Sequence, residues 1–258
     1  MCKHTNMLIE KEGQTFNVSG GYSERWFSQS NFNKWEPETF CILNHYQNKD
    51  GVYIDVGSWI GPTVMYASSL FKRVMAMEPD RIALYRLKQN LSVNEYKNIT
   101  IIDKCLSCEN GTIDFGGNGK WGNSESTMLV SDNDYSSWGG RWDKDARENN
   151  VKTVNTITMD KMLEDEDINP TDISLIKMDI EGGELIVIPH LQHFLRQHKP
   201  IFYISLHYCF LKLEHIIMIL DILFNIYGTC YVFDVTGTKQ EVTKEVVLTL
   251  KLKSLVFE

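Results

Sequence analysis

The chain is short of four things, and each absence removes a class of function. It has no surplus of positive charge: 26 Lys and Arg stand against 34 Asp and Glu, a net charge of −8, and Lys and Arg form no cluster. Binding a phosphate backbone rewards such clusters through counterion release, and the acids from Glu164 to Asp167 would repel a polyanion. Nucleic acid is therefore not an expected partner. No apolar run is long enough for a membrane-spanning helix, and the start, MCKHTNMLIEKEGQTF, lacks the basic flank and apolar core of a signal peptide. A soluble, cytoplasmic protein is expected. The six cysteines are scattered. Cys105 and Cys108 have C-x-x-C spacing without a second pair to complete a zinc site, so they read as ordinary thiols in a reducing compartment. The G-x-G-x-x-G pattern that turns backbone amides toward a pyrophosphate is also missing.

What is present is concentrated between Gly51 and Asn94. Val52 to Val56 is an apolar run rich in β-branched residues, as in a strand buried on both faces. Gly57 lets the chain bend sharply and approach a ligand without a Cβ in the way. Gly61 and Pro62 stand where a helix must start, and Pro suits a first turn because its missing N–H has no partner there. A second buried strand, Arg73 to Met77, stops at Glu78-Pro79. An acid at that point is placed to accept hydrogen bonds from two ribose hydroxyls. Asp55-x-Gly57-x-x-x-Gly61, with Trp59 where a second glycine would admit a phosphate, argues against a dinucleotide. S-adenosylmethionine, which has an amino acid tail, a sulfonium and a ribose, suits the pattern: Asp55 near the tail's ammonium, directly or through water, and Glu78 on the ribose.

Three blocks in this order resemble the FkbM-type family of class I S-adenosylmethionine-dependent methyltransferases. They are Trp35-Glu36-Pro37-Glu38-Thr39; YIDVGSWIGPTV followed by VMAMEPD and the helix ending LKQNLSVN; and Leu175 to Glu184, similar to the family's Lys-x-Asp-x-Glu-Gly-x-Glu signature. Ser58 stands where the family usually has Ala, and Ser-Leu-His ends the fifth strand where an acid often precedes the His. The resemblance implies a doubly wound, mostly parallel seven-stranded α/β sheet with a C-terminal antiparallel hairpin. It also implies that Glu38, Ser58, Trp59, Gly61 and Pro79 join Asp55, Gly57 and Glu78 in cofactor binding. At 258 residues, one such domain over 35–258 is expected, with residues 1–34 an extension packed on its core.

Further on, Thr100 to Cys105 reads as the third strand, placing Asp103, Lys104 and Cys105 beside the adenine. Thr112 to Phe115 is expected to pair as a small hairpin after the Glu109-Asn110-Gly111 turn, and Val151 to Thr158 as an extra strand. Between them, 116–150 is rich in Gly, Asn and Ser and carries Trp121, Tyr135, Trp138 and Trp142. A loop of this length is usually functional or disordered, and flat aromatic faces with polar neighbours suit a sugar acceptor. Ser174 to Ile180 and Ile201 to Leu206 are the fourth and fifth strands, bringing Asp179 and His207 to the ligand end of the sheet. Methyl transfer to an alcohol needs a base for its proton, so His207 is the expected base and Asp179 the orienter of the acceptor or of His207, with Asp179 also bordering the cofactor. A rival assignment makes Asp179 and His207 ligands of a divalent cation. At the C-terminus, Leu211 to Tyr227 reads as an amphipathic helix, and strands Cys230 to Val235 and Val246 to Phe257 as a pair joined at Thr236-Gly237-Thr238.

Two other functions compete with an O-methyltransferase acting on a glycan or small molecule. Tyr208-x-x-x-Lys212 matches the catalytic spacing of short-chain NAD(P)-dependent oxidoreductases. A non-catalytic relic that binds glycan through its Trp-rich loop is the other.

Overall fold

A computed structural model describes residues 6–29, 32–117, 121–129 and 151–258. The chain opens with a hairpin of β1 (Met7–Lys11) and β2 (Gln14–Val18), then α1 (Tyr22–Gln29) and α2 (Pro37–His45). A βαβα run follows: β3 (Asn48–Val56), α3 (Pro62–Ala67), β4 (Phe71–Met77) and α4 (Arg81–Ser92), leading to β5 (Ile99–Ile102). Next come four short strands, β6 (Cys105–Leu106), β7 (Gly111–Gly117), β8 (Ser126–Thr127) and β9 (Val151–Ile157), and α5 (Met159–Asp165). The last part contains β10 (Ile173–Met178), α6 (Glu184–His198), β11 (Ile201–Ser205), α7 (Leu213–Tyr227), β12 (Cys230–Phe233), β13 (Lys239–Glu241), α8 (Lys244–Leu250) and β14 (Ser254–Phe257). Among the described residues no helix is long and apolar enough to cross a membrane.

The central sheet has eight strands in the order β13-β12-β14-β11-β10-β3-β4-β5. Strands β11, β10, β3, β4 and β5 are parallel. The order reverses between β3 and β10, so their carboxyl ends open a crevice of the kind that binds ligands in such sheets. Asp179 N donates to Val56 O at 3.0 Å across that point.

The C-terminal edge differs from expectation. Val246 to Leu250 lies in α8, not in a strand: the Thr243 hydroxyl caps the helix by accepting from Val246 N, and Lys251 at φ 49 ends it. The turn at 236–238 joins β12 to β13, while β14 inserts antiparallel between β11 and β12. Burial explains the choice. Leu255, Val256 and Phe257 are fully buried and need a neighbour on both sides, whereas Lys-Gln-Glu of β13 is suited to a wet edge. The short β13 takes the sheet from the expected seven strands to eight.

Cys105 also departs from expectation. The third strand stops at Ile102, and β6 joins a second sheet of order β6-β9-β7-β8. Strand β7 does not form a hairpin with what precedes it; it pairs antiparallel with β9, Phe115 opposite Lys152 and Gly111 opposite Thr156. The N-terminal hairpin and α1 share one apolar cluster with α2, α3 and the adjacent sheet face, through Ile9, Phe16, Val18, Phe27 and Phe32. Their backbone is tied to α4: Asn17 N donates to Asn94 Oδ1 at 2.8 Å and Ser19 N to Asn90 Oδ1 at 3.0 Å.

Candidate active site

Two adjoining cavities open at the carboxyl ends of β3, β4 and β10. The first is bounded by Gly57, Glu78, Pro79, Lys104, Cys105 and Phe115. Gly57 N and Ser58 N both donate to Met77 O, at 3.1 and 3.0 Å, which pulls the turn over the end of β4. Gly57 has φ 91, and a Cβ there would sit 2.0 Å from the carbonyl oxygen of Asp179. The glycine is thus required by the neighbouring backbone as well as by its place in the cavity wall. Glu78 is buried; its Oε2 accepts Trp59 N at 2.7 Å and its Oε1 accepts Asp80 N at 2.8 Å. Each oxygen keeps a second lone pair for another donor. Burial pushes its pKa up to about 8. Asp80 fastens the far wall: it caps α4 through Ile82 N and Ala83 N, and its Oδ2 accepts Gly122 N at 2.6 Å and Ser126 Oγ at 3.0 Å. Trp59 reaches the same point, its indole N–H donating to Gly122 O at 3.1 Å. Lys104 and Cys105 line this cavity, with burial holding the Cys105 thiol up at about 12, whereas the exposed Asp103 does not.

Asp55 corrects the sequence reading. It lines neither cavity and is 0% exposed. One oxygen accepts the Thr63 hydroxyl and the other faces Lys177 Nζ at 3.5 Å. Lys177 itself sits 3.2 Å from Asp179 Oδ2, so a buried ammonium bridges the ends of β3 and β10. Burial raises the Asp55 pKa against the pull of Lys177. On Lys177, burial works downward but is outweighed by Asp179 and Asp55, and the net shift is upward.

The second cavity shares Gly57, Trp59, Ser124, Asp179 and Glu181 with the first. Its further walls include Trp26, Trp35, Glu36, Glu38, Ser58 and His207. His207 Nε2 lies 3.2 Å from Asp179 Oδ1 and 3.5 Å from Glu181 Oε2. Its Nδ1 is 3.6 Å from Glu184 Oε1, too long for a hydrogen bond but close for opposite charges. Burial works to lower the His207 pKa, yet Asp179 and Glu184 together raise it well above the ordinary value. The direction of that shift favours the protonated ring, against the near-neutral base expected. Burial works to raise the Asp179 pKa, but Lys177 and His207 bring it below the ordinary range. Glu181 is pushed up to about 8, by burial above all and against the pull of His207. Backbone strain gathers here: Glu36, Trp59 and Glu181 have φ of 39, 47 and 53. Non-glycine residues in that region cost about 1–3 kcal/mol each and cluster at functional sites. One ligand atom from each of Asp179, Glu181 and His207 lies within 4.8 Å of the others, a donor set that fits a divalent cation.

Tyr208 and Lys212 line neither cavity. The Tyr208 hydroxyl donates to Val247 O and Leu252 O at 3.3 and 3.2 Å, which makes it a strut under α8 and removes the oxidoreductase pairing. Tyr135, Trp138 and Trp142 lie outside the described residues. Trp121 packs at 6.1 Å from Phe115 with Lys152 over its ring and lines neither cavity. The rings at the second cavity are Trp26, Trp35 and Trp59, with Trp26 edge-on to the other two at 5.2 and 4.7 Å. Lys177, Glu181 and Glu36 received no role from the sequence although all three stand in its recognised blocks. A Lys in the apolar strand Leu175 to Met178 was the available signal; Trp26 offered none.

A mostly parallel sheet with a late strand inserted antiparallel, a glycine turn after β3 and an acid after β4 define a methyltransferase-like α/β fold. Residues 55–228, more than half of the chain, match the family model described as the methyltransferase FkbM domain. The chain belongs to the FkbM methyltransferase family. Among solved structures it is similar to methyltransferase FkbM from Methylobacillus flagellatus KT, at 18% identity and a TM-score of 0.46 over 81% of this chain and 44% of that one. It is also similar to precorrin-6y C5,15-methyltransferase from Geobacter metallireducens GS-15, at 12% identity and a TM-score of 0.40 over 85% and 87%. A third is M. jannaschii TYW2 in complex with AdoMet, at 19% identity and a TM-score of 0.27 over 40% and 44%. The chain spans less than half the length of the FkbM structure it matches. No curated protein matches it.

Proposed function

We propose that the chain is an S-adenosylmethionine-dependent O-methyltransferase acting on a hydroxyl of a sugar or glycan. The observation that carries this reading is the shared wall: a ligand held at Glu78 and a ligand held at Asp179 and His207 meet across Gly57 and Trp59. Glu78 has free lone pairs for the two ribose hydroxyls, Lys104 and Cys105 border the base, and Glu36, Glu38 and Ser58 lie on the tail side. Bound there, S-adenosylmethionine supplies an electrophilic methyl on a positively charged sulfur. Trp26 and Trp35 offer ring surface to the C–H face of a sugar. Asp179 fixes the His207 ring, and once His207 has lost its proton it takes the one leaving the acceptor hydroxyl.

A second reading is favoured by the donor set itself: Asp179, Glu181 and His207 hold a divalent cation that lowers the pKa of the acceptor hydroxyl. One experiment addresses both. The full chain is incubated with methyl-labelled S-adenosylmethionine and a panel of mono- and oligosaccharides, with and without a chelator. Label in a base-stable ether supports the proposal, and loss of that label on chelation with return on adding Mg²⁺ or Mn²⁺ selects the cation. Label found only in amines or carboxyl esters contradicts O-methylation of a sugar.

A further inference from the structure

With Asp55 sealed beneath the cavity floor, its carboxylate committed to Thr63 and Lys177, the cofactor's ammonium needs another partner. Glu36 has the opposite character. It stands in the wall of the second cavity, at φ 39 and ψ 56, immediately before the Pro37 that begins α2. Two ties hold it in that strained conformation. Buried Lys11 donates to the carbonyls of Phe32, Asn33 and Trp35 at 2.9, 3.0 and 3.2 Å, fixing the turn that leads in. Thr39 N then donates to Glu36 O at 3.0 Å. The carboxylate accepts one long hydrogen bond, from Thr39 Oγ1 at 3.3 Å, and among the described residues no basic side chain forms an ion pair with it. Lys177, whose charge reaches it, is engaged by Asp55 and Asp179. A largely buried carboxylate without a cation is costly; burial, and then Asp179, push this one up to about 7. A ligand cation would remove that cost.

We propose that Glu36 receives the ammonium of the amino acid tail of S-adenosylmethionine. This rests on the cofactor reading above, and it assigns the contact to a residue that precedes the 55–228 segment matching the family model. The N-terminal hairpin then has a role in binding: through Lys11 it sets the turn that aims Glu36 into the cavity.

The test is calorimetry on the full chain with two ligands that share a nucleoside and a thioether. S-adenosylhomocysteine carries the ammonium-bearing tail; 5′-methylthioadenosine does not. Glu36→Gln is expected to weaken S-adenosylhomocysteine about tenfold or more, as for a charge-assisted hydrogen bond, and to leave methylthioadenosine within about twofold. Glu36→Asn, which tolerates the left-handed conformation, should behave alike, and thermal melts of both variants confirm folding. S-adenosylhomocysteine affinity unchanged in both variants, or equal losses for both ligands, overturns the assignment. If the unmodified chain binds neither ligand, the cofactor reading itself fails and the role of Glu36 with it.

Discussion

The two cavities that meet at Gly57 are built in different ways. The first is organised around nearby sequence: the turn after β3 and the acid after β4 stand about one βαβ unit apart and backbone amides hold Glu78 in place, with Lys104, Phe115 and Asp179 completing the walls. The second gathers Trp26, Glu36, Asp179, Glu181 and His207 from four distant stretches, and it is held by charges that depend on one another. One end is main-chain geometry that admits little variation. The other is a balance of carboxylates, an ammonium and an imidazole that can be retuned one side chain at a time.

The largest expected effect is at Gly57, one of the residues both cavities share. Gly57→Val would drive a branched Cβ into the Asp179 carbonyl and force φ 91 on a residue that resists it. A stability loss of about 3 kcal/mol or more is expected in denaturant melts, with both ligand sites lost together. Normal stability with only cofactor binding lost would show that the glycine serves ligand space alone. Next comes the proposed acceptor side, at His207 and Asp179. His207→Ala should slow methyl transfer about a hundredfold or more while cofactor affinity stays within about twofold. Asp179→Asn should cost a comparable amount, and the double variant little beyond either, since the two act as one unit. Additive losses would separate them. A smaller, graded effect is expected from pH. A base works only when unprotonated, and Asp179 and Glu184 hold the His207 pKa well above 6.5. For the acceptor, kcat/KM should therefore still be rising with pH at neutrality, by up to about tenfold per pH unit. A plateau reached near pH 6.5 would mean that the bound cofactor relieves His207 or that another group takes the proton.

The contrast between the cavities also sets what could be read from the sequence. Strands β3, β4, β10 and β11 and helices α4 and α6 were legible because buried apolar runs and helix-start residues are local signals. So were the positions of Gly57 and Glu78 on one cavity wall and the nearness of Asp179 to His207 at neighbouring strand ends. Asp55 was misplaced because a strand-end acid looks the same in sequence whether it faces a ligand or, as here, a buried lysine. The C-terminal strand was overextended because Val246 to Phe257 is apolar throughout, and only the cap at Thr243 marks α8. Cys105 was given to the wrong sheet because a two-residue strand carries no periodicity. Trp26 and Lys11 were out of reach: their roles arise from a hairpin folding back on α4, a contact between residues far apart in the chain.

In the proposed function, Glu78 at the end of β4 holds the ribose of S-adenosylmethionine. Titration calorimetry of S-adenosylhomocysteine against the unmodified chain and Glu78→Ala tests it most directly. Measurable binding weakened by about 1.5–3 kcal/mol in the variant is expected, the value of charge-assisted hydrogen bonds lost to two hydroxyls. An equal dissociation constant for the two proteins would remove Glu78 from the site and contradict the account.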